Sequence, residues 1–205
     1  MTDWFQLNDK KVVWTSIALI VVVAAGWFYN RSQELKAERA ERAYFAAQRS
    51  VMAGNLPLAE SDLKKMIGRY DGTRGAMQGR LVLAQVLYEQ GKFQDGVNEL
   101  LKARDEMAGT EEFGSSVHLM LAGGYEQLKK YSEAAAQYGQ AAKAARFDQD
   151  RQRYESFAAR AYLTAGDTAR AKALWTVLGA DSKGTMAGEA RVRLGELTAQ
   201  PAPKS

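Results

Sequence analysis

The stretch from Leu81 to Ala103, LVLAQVLYEQGKFQDGVNELLKA, decides the fold. It reads as two short helices joined by a tight turn. Leu83, Ala84 and Leu87 recur at helical spacing and make one apolar face. Gly91 stops the first helix, because a residue without a Cβ adopts the left-handed conformation that a helix end needs. In the second helix Phe93, Gly96, Leu100 and Ala103 share a face. Small residues at 84 and 96 stand where the two helices can approach closely, and the large ones at 87, 93 and 100 fill the space around that contact.

This alternation of small and large residues is the tetratricopeptide (TPR) pattern, and it recurs along the chain. One unit turns at Gly54-Asn55-Leu56-Pro57, with Pro57 at an early helical position where its missing N–H costs nothing and with Ala59 and Leu63 on the following helix. Asp71-Gly72-Thr73 ends that unit. A third unit carries Leu121, Ala122 and Tyr125, a turn at Lys129-Lys130, then Tyr131, Ala134, Tyr138 and Ala141. A fourth has Ala158, Ala159 and Tyr162, then Gly166-Asp167, then Ala171, Trp175 and Leu178. The turns at 54, 91, 129 and 166 are about 37 residues apart, slightly more than the usual 34, which fits longer loops such as Ala108 to Gly114. A last helix from Met186 to Leu197 is expected to cap the apolar face of the fourth unit.

Upstream of the repeats, Val12 to Tyr29 reads VVWTSIALIVVVAAGWFY, without a charge. Thr15 and Ser16 can bond back to carbonyls one turn earlier, so they cost little in lipid. As a helix the segment spans about 27 Å, enough for a hydrocarbon core. Trp27, Phe28 and Tyr29 form an aromatic belt at one interface, and Trp4 and Phe5 are placed at the other. A cleaved signal peptide, with Ala24-Ala25-Gly26 as its cleavage site, and a buried globular helix are the alternatives. Orientation stays open. Lys10 and Lys11 precede the span, whereas Arg31, Lys36, Arg39 and Arg42, interleaved with Glu34, Glu38 and Glu41, follow it. Asn30 to Ala53 contains no helix breaker, so one long helix is expected to leave the bilayer and become the first helix of the first repeat. Its charged part reads as a solvated stalk, with contact to the membrane surface as the alternative.

The expected architecture is therefore all-α: a tail over 1–11, a single transmembrane helix over 12–29, a charged helical stalk over 30–42, a TPR-like α-solenoid of about four helical pairs and a capping helix over 43–198, and a disordered tail over 199–205. The totals agree with this. The chain has 205 residues, 46% hydrophobic, no cysteine, and only three prolines. Without cysteine there is no disulfide, thiol nucleophile or thiolate metal site. The net charge of +4 is modest and the basic residues alternate with acids, so no nucleic-acid surface is indicated.

Stacked pairs share one core, and their first helices line a concave surface. By repeat register that groove includes Tyr44, Gln48, Leu81, Gln85, Tyr88, Glu89, Leu119, Gln127, Arg153, Arg160 and Leu163, a mixture suited to a peptide or protein surface. Inward packing is the alternative reading for Tyr44 and Leu81. The single histidine, His118, falls where the pattern places a packing residue, and no second histidine or cysteine exists to build a zinc site with it. Asp105-Glu106 and Glu111-Glu112 lack the oxygen-ligand spacing of a calcium loop. No glycine run has phosphate-loop or dinucleotide spacing, and Gly123-Gly124 reads as a close helix contact. Where chaperone-binding TPR domains carry Lys and Asn in their carboxylate clamp, this chain has Leu81 and Gln85. Neither an enzyme activity, a cofactor nor a small-molecule substrate is expected.

A short N-terminus, one span, a charged helical stalk and a repeat array ending in a lone helix resemble the YfgM-like ancillary subunits of the bacterial Sec translocon. The resemblance is carried by Thr73-Arg74-Gly75-Ala76-Met77 through Leu83-Ala84-Gln85. The repeats are also similar to the TPR domain of periplasmic division coordinators. The resemblance implies a single-pass bacterial inner-membrane protein with its N-terminus inside and its TPR domain in the periplasm. The partners it implies are the Sec translocon and a membrane-anchored periplasmic chaperone. A holding chaperone for exported chains, or an assembly factor for another envelope complex (cell division, outer-membrane or cytochrome biogenesis), are the alternatives.

Overall fold

In a computed structural model the chain is described from Thr2 to Ala199, with side chains from Val13 onward. The side chains of Trp4 and Phe5, and so their expected placement at an interface, and the expected tail beyond 199 lie outside what the structure describes. Among the described residues ten helices follow one another: α1 (Thr2–Met52), α2 (Leu56–Arg69), α3 (Arg74–Glu89), α4 (Phe93–Leu101), α5 (Arg104–Ala108), α6 (Gly114–Gln127), α7 (Tyr131–Lys143), α8 (Asp148–Thr164), α9 (Thr168–Ala180) and α10 (Ala187–Ala199). No strand occurs among the described residues. The end of α1 pairs with α2, α3 with α4, α6 with α7 and α8 with α9, and α10 covers α9. This is the solenoid that the repeat spacing predicts.

The turn inside each pair is built the same way. Gly54, Gly91, Lys129 and Gly166 all have positive φ, at 71°, 74°, 59° and 84°. After each, the next residue donates its N–H five residues back: Asn55 to Ser50, Lys92 to Leu87, Lys130 to Tyr125, and Asp167 to Tyr162. The positive-φ residue itself bonds three back, as Gly91 does to Tyr88 at 2.9 Å. This reciprocal pattern satisfies the last carbonyls of a helix and reverses the chain. Lys129 adopts the conformation without being a glycine, at a steric cost of about 1 kcal/mol. Polar caps then restart helices: Asn55 accepts from Leu58 N–H at 3.2 Å, Thr73 from Ala76 at 3.2 Å, and Asp167 from Arg170 at 3.0 Å.

Most residues of the faces read from the sequence are buried, whereas Phe93, Tyr125, Tyr131 and Tyr162 are half-buried. Leu83 and Leu87 line the contact between the first and second pairs, Ala84 and Leu100 that between the second pair and α6, and Trp175 is wholly enclosed in the fourth. Ala190 of α10 is buried beneath the partly covered Met186, Leu194 and Leu197, so α10 closes the end of the stack as expected. It runs two residues past the expected end at Leu197. Gly124, but not Gly123, is a point of close approach: a Cβ there would come 2.5 Å from Val97 Cγ2.

Three features differ from the sequence reading. The second helix of the second pair stops at Leu101, and Ala103 leads instead into the short α5. The segment read as a loop after it supplies Met107 and Phe113 to the core, and both are buried. The charged stalk is packed earlier than its composition suggests. Ala40 is fully buried, because Gly75 of α3 lets the two backbones approach: a Cβ on Gly75 would stand 3.1 Å from the Ala40 carbonyl carbon. Lys36 Nζ donates to the Asp71 carbonyl at 2.7 Å, and Arg74 pairs with Glu41 at 3.2 Å. Finally, the buried-helix alternative for the apolar segment is excluded, because none of that stretch of α1 is covered by the rest of the protein.

Candidate protein-binding surface

Two kinds of surface stand out, one on the apolar segment and one along the repeat array. The first is the apolar part of α1. Trp27, Phe28 and Tyr29 are 68%, 71% and 64% exposed, and Ile20 and Val22 upstream are equally bare. The helix is long and apolar enough to cross a membrane.

The second is the row of first helices α3, α6 and α8. The structure divides the predicted groove residues into two groups. Gln85, Glu89, Gln127, Arg153 and Arg160 are exposed, and Gln48 is half-buried. Gln85 donates to Glu89 at 3.1 Å, so the two hold each other along α3. Arg153 bonds Asp150 at 2.9 Å and lies over the Tyr154 ring. The others turn inward. Tyr44 packs on the first core cluster and meets the exposed Phe45 edge-on at 5.6 Å. Leu81, Leu119 and Leu163 pack against the second, third and fourth clusters.

Tyr88 is engaged inside the stack. Its hydroxyl donates to the Met120 carbonyl at 3.0 Å, and its ring edge occupies the space that side chains on Gly96 and Gly124 would need. Burial, helped by Tyr125, pushes its phenol well above the ordinary range, so it remains a donor at every physiological pH. The two glycines therefore make room for one aromatic residue that locks α3 to α6.

Between α6 and α8 a cleft of about 240 Å³ is lined by Glu126, Tyr138, Phe157 and Arg160. Tyr138 rises from α7 to form its floor. It donates to Glu126 Oε2 at 3.1 Å and meets Phe157 edge-on at 5.4 Å. Burial, reinforced by the Glu126 carboxylate, raises the Tyr138 phenol far above its usual value, so the floor stays uncharged. The Arg160 guanidinium stands 5.7 Å from the Phe157 centroid, and Arg160 pairs with Glu189 of α10 at 2.5 Å. An aromatic floor flanked by one carboxylate and one guanidinium suits a peptide segment that offers both an apolar and a polar group. Of these four residues sequence reasoning named only Arg160 for the groove. Phe157 was legible from helical spacing, since 153, 157 and 160 share one face of α8. Glu126 and Tyr138 meet only through the packing of α6 on α7.

His118 is buried in α6, with Nδ1 2.7 Å from Gln137 Oε1, and takes no part in either surface. The edges between units are held by exposed ion pairs. Arg74 reaches both Glu41 on α1 and Glu112 ahead of α6, and Arg146 pairs with Glu111.

The sequence matches the tetratricopeptide repeat-like domain family over residues 2–155. The chain belongs to that family. The matched region of this TPR-like chain begins ahead of the apolar segment and runs into α8. No curated protein sequence matches it. Among solved structures it is similar to nearly identical TPR-like repeats from Podosopora anserina, at 17% identity over 78% of this chain and 86% of that one, with a TM-score of 0.59. It is also similar to a tetratricopeptide repeat protein from Parabacteroides merdae, at 16% identity over 78% of this chain and 60% of that one, TM-score 0.61. A third is BtubC from P. vanneervenii, at 18% identity over 85% and 93% of the two chains, TM-score 0.51. At such identities the likeness establishes the fold. TPR arrays are protein-interaction scaffolds, and this one carries a helix of membrane-spanning length at its start.

Proposed function

We propose that the chain is a membrane-tethered scaffold: residues 12–29 cross the bilayer once, and the groove of the repeat array holds a protein partner close to that membrane. The observation that carries this reading is the continuity of α1. One unbroken helix, Thr2–Met52, contains both the bare apolar segment and the buried Ala40 and Ala47 of the first repeat. A partner bound in the groove is thereby confined to a layer near the bilayer, which raises its effective concentration there without any further contact.

In its finer form the proposal makes the chain an ancillary subunit of the Sec translocon in the bacterial inner membrane. Its N-terminus lies inside and its repeats lie in the periplasm, where they link the translocon to a membrane-anchored chaperone. Support for this comes from the order of segments and from the Thr73-Met77 and Leu83-Gln85 matches. Photo-crosslinking residues placed at Gln127 and Arg160 in native membranes test it, with Lys172 on the exposed side of α9 as the control. Adducts with translocon or chaperone chains from the groove positions, and none from position 172, are expected. Adducts from neither groove position, or equally from all three, contradict the proposal.

A further inference from the structure

A cleft of about 370 Å³ lies where the repeat domain meets the apolar segment, lined by Phe28, Arg31, Ser32, Leu35, Lys36, Arg39, Arg69 and Tyr70. Two separate segments build it. The residues from 28 to 39 lie along α1, while Arg69 and Tyr70 arrive from the end of α2, which turns back beside α1. Four of the lining residues are cations and none is a carboxylate.

Two of these cations, Arg39 and Arg69, have no carboxylate partner, whereas Arg31 meets Glu34 and Lys36 lies near Asp71. Elsewhere most arginines are paired, as with Arg74, Arg151 and Arg160, although Arg49 and Arg191 are not among the described ion pairs. Among the described residues Lys36, Arg39 and Arg69 form no ion pair. Lys36 is engaged with the Asp71 carbonyl, and Asp71 itself bonds Arg80 at 2.8 Å. Arg69 lies over the Tyr70 ring at 5.7 Å, and Arg39 projects freely. Arg31 meets Glu34 at 3.1 Å, but both side chains are more than half exposed, so that pair is weak and exchangeable. Arg39 and Arg69 thus line one recess without a carboxylate partner, beside Arg31, whose only ion pair is the exposed one with Glu34.

Its position selects the anion. Phe28 belongs to the aromatic set that ends the apolar segment. Arg31 and Arg39 follow Tyr29 by about 3 and 15 Å of helix, and a headgroup layer is about 5–8 Å deep, so Arg31 lies within that layer and Arg39 meets it by reaching back along the helix. The Cα–Cβ bonds of α1 tilt toward its N-terminus, so these side chains lean back to the bilayer. We propose that this cleft binds the phosphate of an anionic membrane lipid, with Arg31, Arg39 and Arg69 as donors and Phe28, Leu35 and Tyr70 against the glycerol and upper acyl carbons. The proposal rests on the membrane-spanning reading of α1. Three guanidinium groups from two helices make it a built site for one headgroup, more selective than a diffuse basic flank.

The test uses the full-length chain in detergent, with retained lipid counted by native mass spectrometry after addition of phosphatidylglycerol or phosphatidylcholine. One retained phosphatidylglycerol is expected, with about tenfold weaker retention of phosphatidylcholine. The double variant R39Q/R69Q should lose that preference, whereas R39K/R69K keeps part of it and R42Q, outside the cleft, keeps all of it. Inorganic phosphate at millimolar concentration should not displace the lipid; displacement would mean a free-anion site and overturn the lipid assignment. Equal retention of both lipids, or a preference unchanged in R39Q/R69Q, also overturns it. Alkaline extraction of membranes separates the two failures. A chain that stays in the membrane without lipid preference contradicts only the cleft, while one that is released contradicts the span and the cleft together.

Discussion

The two ends of α1 are one helix in two different surroundings. Between Val13 and Asn30 its large apolar side chains are bare on every side, with Trp14 and Phe28 both 71% exposed. Between Ala40 and Val51 the same helix buries only Ala40 and Ala47 completely, seven residues apart, with Ala43, Tyr44 and Val51 partly covered. The segment richest in apolar surface is the one that the fold leaves uncovered. Packing against protein demands shape, so the buried half uses small residues that let α2 and α3 approach. Lipid demands only a backbone satisfied within the helix and an apolar circumference. Hydrophobicity alone would have placed the core at the wrong end.

Substitutions that treat the two ends alike should therefore have unlike effects. Leu63→Ala removes a fully buried side chain beneath the packed end of α1. It should lower the unfolding free energy by about 2–5 kcal/mol, whereas Val22→Ala should leave the unfolding of the repeats unchanged in urea titrations. Ala40→Leu forces bulk against α3, where Gly75 leaves no space, and should cost about 1–3 kcal/mol. Val21→Leu, the control in the bare half, should cost nothing measurable.

A smaller effect sharpens the account of the repeats. Gly91→Ala places a Cβ at a φ of 74° and should destabilise by about 1–2 kcal/mol. The reverse change at the equivalent turn, Lys129→Gly, should raise the melting temperature, by less than the steric relief because glycine also loses more backbone freedom on folding. A fall in stability for Lys129→Gly would show that the four turns are not equivalent.

The smallest effect concerns the junction of the first two pairs. Glu60 on α2 bonds Lys64 at 2.6 Å and Lys92, before α4, at 2.8 Å. Those hydrogen bonds, Lys64 first, hold its carboxyl down to about 2 from an ordinary 4.5. Because the folded value lies below the ordinary one, the contribution is complete above pH 4.5 and is lost as the pH falls toward about 2. Glu60→Gln should cost about 1 kcal/mol or less at neutral pH and flatten the acid limb of the stability curve over that window. An unchanged acid limb would contradict it.

The turns were legible because a helix end in the left-handed region selects glycine. Lys129 was legible only through its register with the other three. The apolar segment was legible from composition, since its circumference has no polar face. Met107 and Phe113 escaped notice because they sit among Gly109, Thr110 and acidic residues without helical period, and only the seat of α5 against α6 draws them inward. The burial of Ala40 depends on a glycine 35 residues away, a pairing with no local signal. The groove was legible as a row of helices but only partly as side chains. Whether Tyr88 faces out or in turns on the space left by Gly96 and Gly124, on two other helices.

Because the chain has no cysteine, single labels can be placed without background. Spin labels at Val22→Cys and Gln85→Cys in the full-length chain, reconstituted in vesicles, report directly on whether one helix joins lipid to a water-exposed repeat array. The label at 22 should relax strongly with oxygen and little with a water-soluble nickel chelate, and the label at 85 should do the opposite. A label at 22 that meets the nickel chelate as freely as the one at 85 would contradict the account.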